Sequence, residues 1–215
     1  MATAVQVEVP IPERLKDRPM SKRGFLVPWF VAYVNGEPDF RVMEPAKLRE
    51  AVAFNKCWMC GGQLRGGVTY PFVVGPMCIV NRISSEPISH AECARYAAMV
   101  CPFLSRPNAR RREIKDVPVH MREDGIKRNP GVTALAFSRS YEIITDQQGV
   151  LFHFDKPVAV EWYCESRTAT RKEVMDSIES GLPELREMTK KMDGQEGLTA
   201  MNRKIQNAMR YLPRA

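Results

Sequence analysis

Two residue pairs carry the strongest chemical signal in the sequence: Cys57-Trp-Met-Cys60 and His90-Ala-Glu-Cys93. In each, the outer residues are three positions apart. Gly61-Gly62 follows the first pair, and that arrangement predicts a tight knuckle whose amides point at the thiolates and whose sulfurs converge on one ion. His90 and Cys93 fall where a helix is expected to start. Ser89 with Glu92 reads as a capping box, Ala91, Ala94, Ala97 and Ala98 favour helix, and Pro102 ends it after Cys101. One turn brings positions i and i+3 onto one face. Three thiolates and an imidazole form a closed tetrahedral shell of the structural type, so one zinc ion held by Cys57, Cys60, His90 and Cys93 is the expectation.

Knuckle, hairpin, then a helix whose first turn supplies the second ligand pair: this order resembles the treble-clef zinc finger. Val68–Val74 and Cys78–Asn81 would be the hairpin strands, turning at Gly75-Pro76. Cys78, Cys101 and Cys164 are left over and read as core thiols. Cys78 or Cys101 in place of one of the four ligands is the competing assignment, and a set of buried thiols with a capping histidine is the plain one. The chain has 215 residues, 44% of them hydrophobic, and needs no disulfide staples. Its first residues show no basic stretch leading into an apolar core, and no apolar run approaches the ~20 residues of a membrane span. A cytoplasmic protein with metal-binding thiols is therefore expected.

Two zinc-associated enzyme classes fit poorly. An HNH-type nuclease needs a histidine base beside the hairpin. Of the three histidines, His90 is better used as a ligand, while His120 and His153 lie outside the hairpin. A zinc deaminase carries H-x-E followed by P-C-x-x-C. His90-Ala-Glu92 matches the first half, but the order is reversed and Cys93 would close the open position. The chain reads as a binding protein, not an enzyme.

What it binds is suggested by charge. Lys plus Arg number 32 against 25 for Asp plus Glu, a net charge of +7. Arg110, Arg111, Arg112 and Lys115, with Arg106 nearby, cluster just beyond the finger helix, placed to contact phosphate. Nucleic acid is the expected partner through these four. The alternative is a protein–protein adaptor or inhibitor with a purely structural zinc.

The elements that must position these groups give an α+β class. Residues 1–22 carry Pro10, Pro12 and Pro19 among charges and read as a flexible arm. Residues 23–53 hold a β-hairpin, turning at Asn35-Gly36, and a short helix beginning at Pro45. Residues 54–104 form the treble-clef-like zinc module and 105–131 a basic loop. Residues 132–215 read as a β-meander (to Phe154) and C-terminal helices. Helix is expected from Pro157, with Thr170-Arg-Lys-Glu173 as a capping box and Gly181-Leu-Pro183 as an interruption. Leu198, Met201, Ile205, Ala208 and Leu212 make a final apolar stripe.

The runs CWMCGGQL, FVVGPMCIVNRISSEPISHAECARYAAMVCPFLSRP, RNPGVT and ATRKEVMDSIESGLPEL together resemble an uncharacterised family of small bacterial and phage proteins. The resemblance extends from Gly24 over nearly the whole chain. It implies one continuous architecture and no particular activity.

Overall fold

A computed structural model describes residues 9–105, 129–146 and 149–214. The class is mixed α+β, with antiparallel sheets and a long C-terminal helical segment. Strands β1 (Val31–Val34) and β2 (Glu37–Met43) form the expected hairpin. Its turn residues Asn35 and Gly36 have φ of 51° and 80°, the paired positive values a two-residue hairpin turn requires. Helix α1 (Pro45–Ala53) opens on its proline, whose missing N–H has no partner to lose in a first turn. The segment ahead of the hairpin is tied down. Leu15, in a 3-10 turn at Glu13–Leu15, is fully buried in the main core, and Arg14 pairs with Glu92 at 2.7 Å. An apolar anchor among the prolines thus removes residues 9–22 from the reading as a free arm.

After the knuckle come β3 (Tyr70–Val74), α2 (Pro76–Asn81), β4 (Ile83–Ser84), α3 (Ala91–Val100) and α4 (Pro102–Ser105). Residues 78–81 are helical, so the expected finger hairpin does not form. Pro76 initiates a helix there, and β3 pairs instead with β5 (Thr133–Ser138), Phe72 opposite Ala136. The rest of the sheet is β8 (Ala159–Cys164) and β9 (Arg167–Thr168), in the order β3-β5-β8-β9. A second sheet has the order β4-β7-β6, with β6 at Tyr141–Asp146 and β7 at Gly149–Phe154.

The expected meander is therefore split between two sheets. Every residue of β5 is buried, as only a central strand between two layers can be. Its alternation sends Leu135 and Phe137 towards Ala94 and Ala98 of α3. Ala134 and Ala136 face the main core with Phe72, Trp162 and Ile178. The helix expected from Pro157 is likewise strand β8, where Trp162 lies opposite Ala134 and Tyr163 opposite Thr133. Aromatic and β-branched side chains in Ala-Val-Glu-Trp-Tyr-Cys suit a half-buried pleat better than a helix.

Segment α5 (Arg171–Ala208) starts at the expected capping box of Thr170 and Glu173. It runs through Gly181 and Pro183 and breaks instead at Gly194, where φ is 61° and ψ −148°. The two arms fold back on each other: the Thr189 hydroxyl donates to the sulfur of Met201 at 3.2 Å. Gly181 is a contact, not a stop. A Cβ there would lie 3.0 Å from the sulfur of Met77, so its absence lets α2 approach. Val174, Ile178 and Leu182 bury the first arm, and Met201, Ile205 and Ala208 the second.

Candidate metal centre

The knuckle is built by backbone hydrogen bonds. The Cys57 amide donates to Gly62 O and the Gly61 amide to Cys57 O, both at 2.8 Å. Gly61 has φ of +76°, and a Cβ on it would stand 2.7 Å from the Trp29 ring. Glycine is required there twice over, for the left-handed turn and for the close ring. Trp29 also donates its amide to Met59 O at 2.7 Å, so the hairpin segment clasps the knuckle. Trp58 is fully buried and stacks on Phe30 at 4.5 Å between centroids, 5° from parallel, rather than standing exposed at the knuckle tip.

The second ligand pair comes from the start of α3, but not through a capping box. His90 is the N-cap residue, and no side chain caps the helix in the usual way. The His90 amide donates to Cys57 Sγ at 3.3 Å, while Glu92 is drawn off to Arg14. A sulfur of the knuckle thus takes the N-cap amide, the part a capping-box carboxylate would have played.

The four predicted residues meet. One ligand atom from each of Cys57, Cys60, His90 and Cys93 lies within 4.8 Å of all the others, a group able to hold a metal ion. Around a tetrahedral ion with sulfur at about 2.3 Å and nitrogen at about 2.0 Å, neighbouring donors stand roughly 3.5–3.8 Å apart. Cys60 Sγ and His90 Nδ1 are separated by 3.4 Å, and Nε2 of the same ring lies 3.2 Å from Gln63 O. The imidazole is therefore oriented with Nδ1 towards the sulfurs and Nε2–H towards a carbonyl, the outer contact that fixes a ligating histidine. Gly62 adds an amide to Cys60 Sγ at 3.3 Å.

The protonation pattern shows how strongly the groups press on each other. Burial opposes ionisation of Cys57, but hydrogen bonds from Cys60, Cys93 and His90 outweigh it and hold that thiol far below its ordinary range. Hydrogen bonds to Cys57 and Cys60 push His90 up to about 10 and drive the Cys93 thiol upward. Negative charge is thus favoured on the Cys57 sulfur, beside protons on His90 and Cys93 that an incoming cation would displace.

Cys78 and Cys101 are outside this group, and Cys164 lies instead beside Glu165 and Glu173. Burial pushes the Cys78 thiol up to about 11, as suits an inert core thiol. Both carboxylates beside Cys164 are engaged by Arg167, at 3.7 Å and 2.6 Å. His153 lies on β7 opposite Ile83, away from the ligand set. Arg110, Arg111, Arg112 and Lys115, with Arg106 and His120, lie outside the described residues. The supporting contacts of Trp29 and Gln63 carry no sequence signal, since one acts through its ring against a glycine and the other through its backbone. No helix of the described residues is long and apolar enough to cross a membrane. No protein-family model, curated protein or solved structure matches the chain.

Proposed function

We propose that the Cys3His group holds one zinc ion as a structural element, and that the protein acts by binding nucleic acid rather than by catalysis. The observation carrying the metal half is the donor set itself. Soft thiolates with one imidazole disfavour calcium and magnesium, and four protein ligands leave a d¹⁰ ion no need of water or substrate. The module is treble-clef-like in its knuckle and ligand helix, with β3, α2 and β4 standing where a finger hairpin would be. Thiolate ligation of this kind belongs in a reducing compartment such as the cytoplasm. The polyanion half rests on the net charge of +7 and on Arg110, Arg111, Arg112 and Lys115 following directly on the zinc module in sequence.

Elemental analysis of protein purified without added metal should give about one zinc per chain, and chelation should unfold the knuckle and red-shift the emission of Trp58. Metal-free protein with an unchanged fold refutes the structural zinc. The triple variant R110A/R111A/R112A should bind unrelated sequences more weakly by a similar factor, because phosphate contacts position without reading bases.

A second reading, a protein–protein adaptor, draws on strand β6. Among the described residues it is an edge strand, and its Ile143 and Ile144 are both exposed, at 45% and 41%. An apolar edge of this kind can accept a further strand. A stoichiometric protein partner, with no shift of DNA or RNA, would favour it.

A further inference from the structure

The last residues of the chain are unusually one-sided in charge. From 197 to 215 there are four cations, Arg203, Lys204, Arg210 and Arg214, and no carboxylate side chain. The fold brings the end of this segment beside two other cationic loops. The Tyr211 hydroxyl donates to Pro157 O at 2.9 Å, which sets Arg210 beside Lys156. The Phe154 amide donates to Arg82 O at 2.9 Å, which sets Arg82 beside the same loop. The charges of Arg82 and Arg210 both reach the Tyr211 hydroxyl. Lys156, Pro157, Val158, Arg210 and Tyr211 line an open cleft of about 540 Å³.

Two features distinguish this cleft from an ordinary charged surface. First, the cations in it and beside it are uncommitted: no ion pair or side-chain hydrogen bond engages Lys156, Arg210 or the neighbouring Arg82 among the described residues. The nearest carboxylate along the chain, Asp155, accepts the hydroxyl of Ser140. Elsewhere on this protein, cations that meet carboxylates pair with them, as Arg95 does with Glu161 and Arg167 with Glu173. Secondly, its walls combine charge with apolar surface: Val158 is half exposed beside the partly exposed Tyr211 ring, over the buried Pro157. The cleft is also held in shape, because Trp162 Nε1 donates to Tyr211 O at 2.7 Å and Arg171 donates to Pro213 O at 3.0 Å.

We infer that this cleft binds a single-stranded nucleic acid, with backbone phosphates on Lys156, Arg210 and Arg82 and a base against Tyr211 and Val158. Cations that track a backbone beside an aromatic or apolar platform are the combination that single strands use, since their bases are free to leave the stack. A duplex keeps its bases stacked and can use only the charges. The inference rests on the nucleic-acid reading above but places the contact on residues distant in sequence from Arg110–Arg112.

The test compares wild type with the double variant K156A/R210A, and with Arg82→Asn, chosen because asparagine tolerates the φ of 61° at that position. Binding of a labelled oligothymidylate of about twenty nucleotides is followed by anisotropy over a salt series, with a duplex of equal length and heparin as the other probes. The double variant should bind the single strand at least about tenfold more weakly at low salt. Its dependence of log K on log salt should flatten by about 0.7 for each phosphate no longer neutralised. Arg82→Asn should flatten it by the worth of about one phosphate. R110A/R111A/R112A separates the two sites. If wild type binds, and only the triple variant loses affinity, this cleft is wrong while the nucleic-acid reading stands. No binding of any strand by wild type overturns both. Equal weakening on single strand, duplex and heparin overturns the single-strand assignment.

Discussion

The backbone amide of His90 and the sulfur of Cys57 are 3.3 Å apart, so one sulfur of the Cys3His group also takes the N-cap amide of the helix that carries His90 and Cys93. Assembly of the Cys3His group and the start of α3 are therefore coupled in this chain. Removing either side chain leaves the group incomplete, but only loss of Cys57 also frees the N-cap amide.

That relationship fixes an order of damage. His90→Ala keeps the amide at position 90 and its bond to Cys57, whereas Cys57→Ala removes ligand and cap together. Cys57→Ala should be the less stable by about 1 kcal/mol, the usual net worth of one hydrogen bond. Thermal unfolding of the two variants side by side, at matched zinc, decides it. The reverse order would mean that the sulfur does not cap α3.

Gly61 and Gly36 both have positive φ, of 76° and 80°, but only Gly61 sits against a side chain, the Trp29 ring. Gly36→Ala carries the backbone penalty alone, about 1 kcal/mol. Gly61→Ala adds the clash and should cost about 2–4 kcal/mol. Denaturant midpoints separate the two contributions. Equal costs would show that Trp29 moves aside without resistance.

The Cys3His group was legible in sequence because the geometry of each pair is local. Two ligands three apart in a glycine knuckle, and two more at a helix start, need nothing from the rest of the fold to face the same way. Pro45 and Asn35-Gly36 were legible for the same reason: fixed and positive φ values are properties of single residues. Strand partners were not. The segment from Thr133 to Phe154 has the spacing of a meander, yet β5 leaves β6 to pair with β3 and β8, because burial on both faces needs two neighbours that lie far off in sequence. At Ser89 the motif itself misled. A capping box and a helix start look alike in sequence, and nothing in it says that a sulfur 33 positions away will take the amide.

Gly181 and Pro183 show the same limit within one helix. Both are breakers by propensity, but a stripe of Val174, Ile178 and Leu182 against the core carries the helix past them. Proline inside a helix is nonetheless unfavourable, so Pro183→Ala should stabilise the protein, by about 1–3 kcal/mol. Gly194 is the true break. Its φ of 61° with ψ of −148° is a glycine conformation, and Gly194→Ala should destabilise the folded-back pair of arms by about 1–3 kcal/mol. Urea unfolding of both variants gives the two signs. A stabilised Gly194→Ala would mean that the arms run on as one straight helix.

The start of the same segment carries the pH dependence. Glu173 accepts the Thr170 amide at 2.7 Å and two bonds from Arg167, at 2.6 and 3.0 Å. The Arg167 guanidinium, helped by that amide, pulls its carboxyl down from 4.5 to about 2. A carboxyl depressed in the folded state stabilises fully above its unfolded value, and that stabilisation is lost as pH falls towards the folded one. The contribution of Glu173 is thus complete above about pH 4.5 and drains away between there and about pH 2. Glu173→Gln cannot ionise and has nothing to lose in that window. Wild type should therefore unfold at a higher temperature than the variant at neutral pH, by a gap that stays constant down to about pH 4.5 and narrows below it. Following both melting temperatures by circular dichroism tests this. A gap that is unchanged on acidification would place the helix start under the control of Thr170 alone, whose replacement by alanine should in any case cost about 1 kcal/mol.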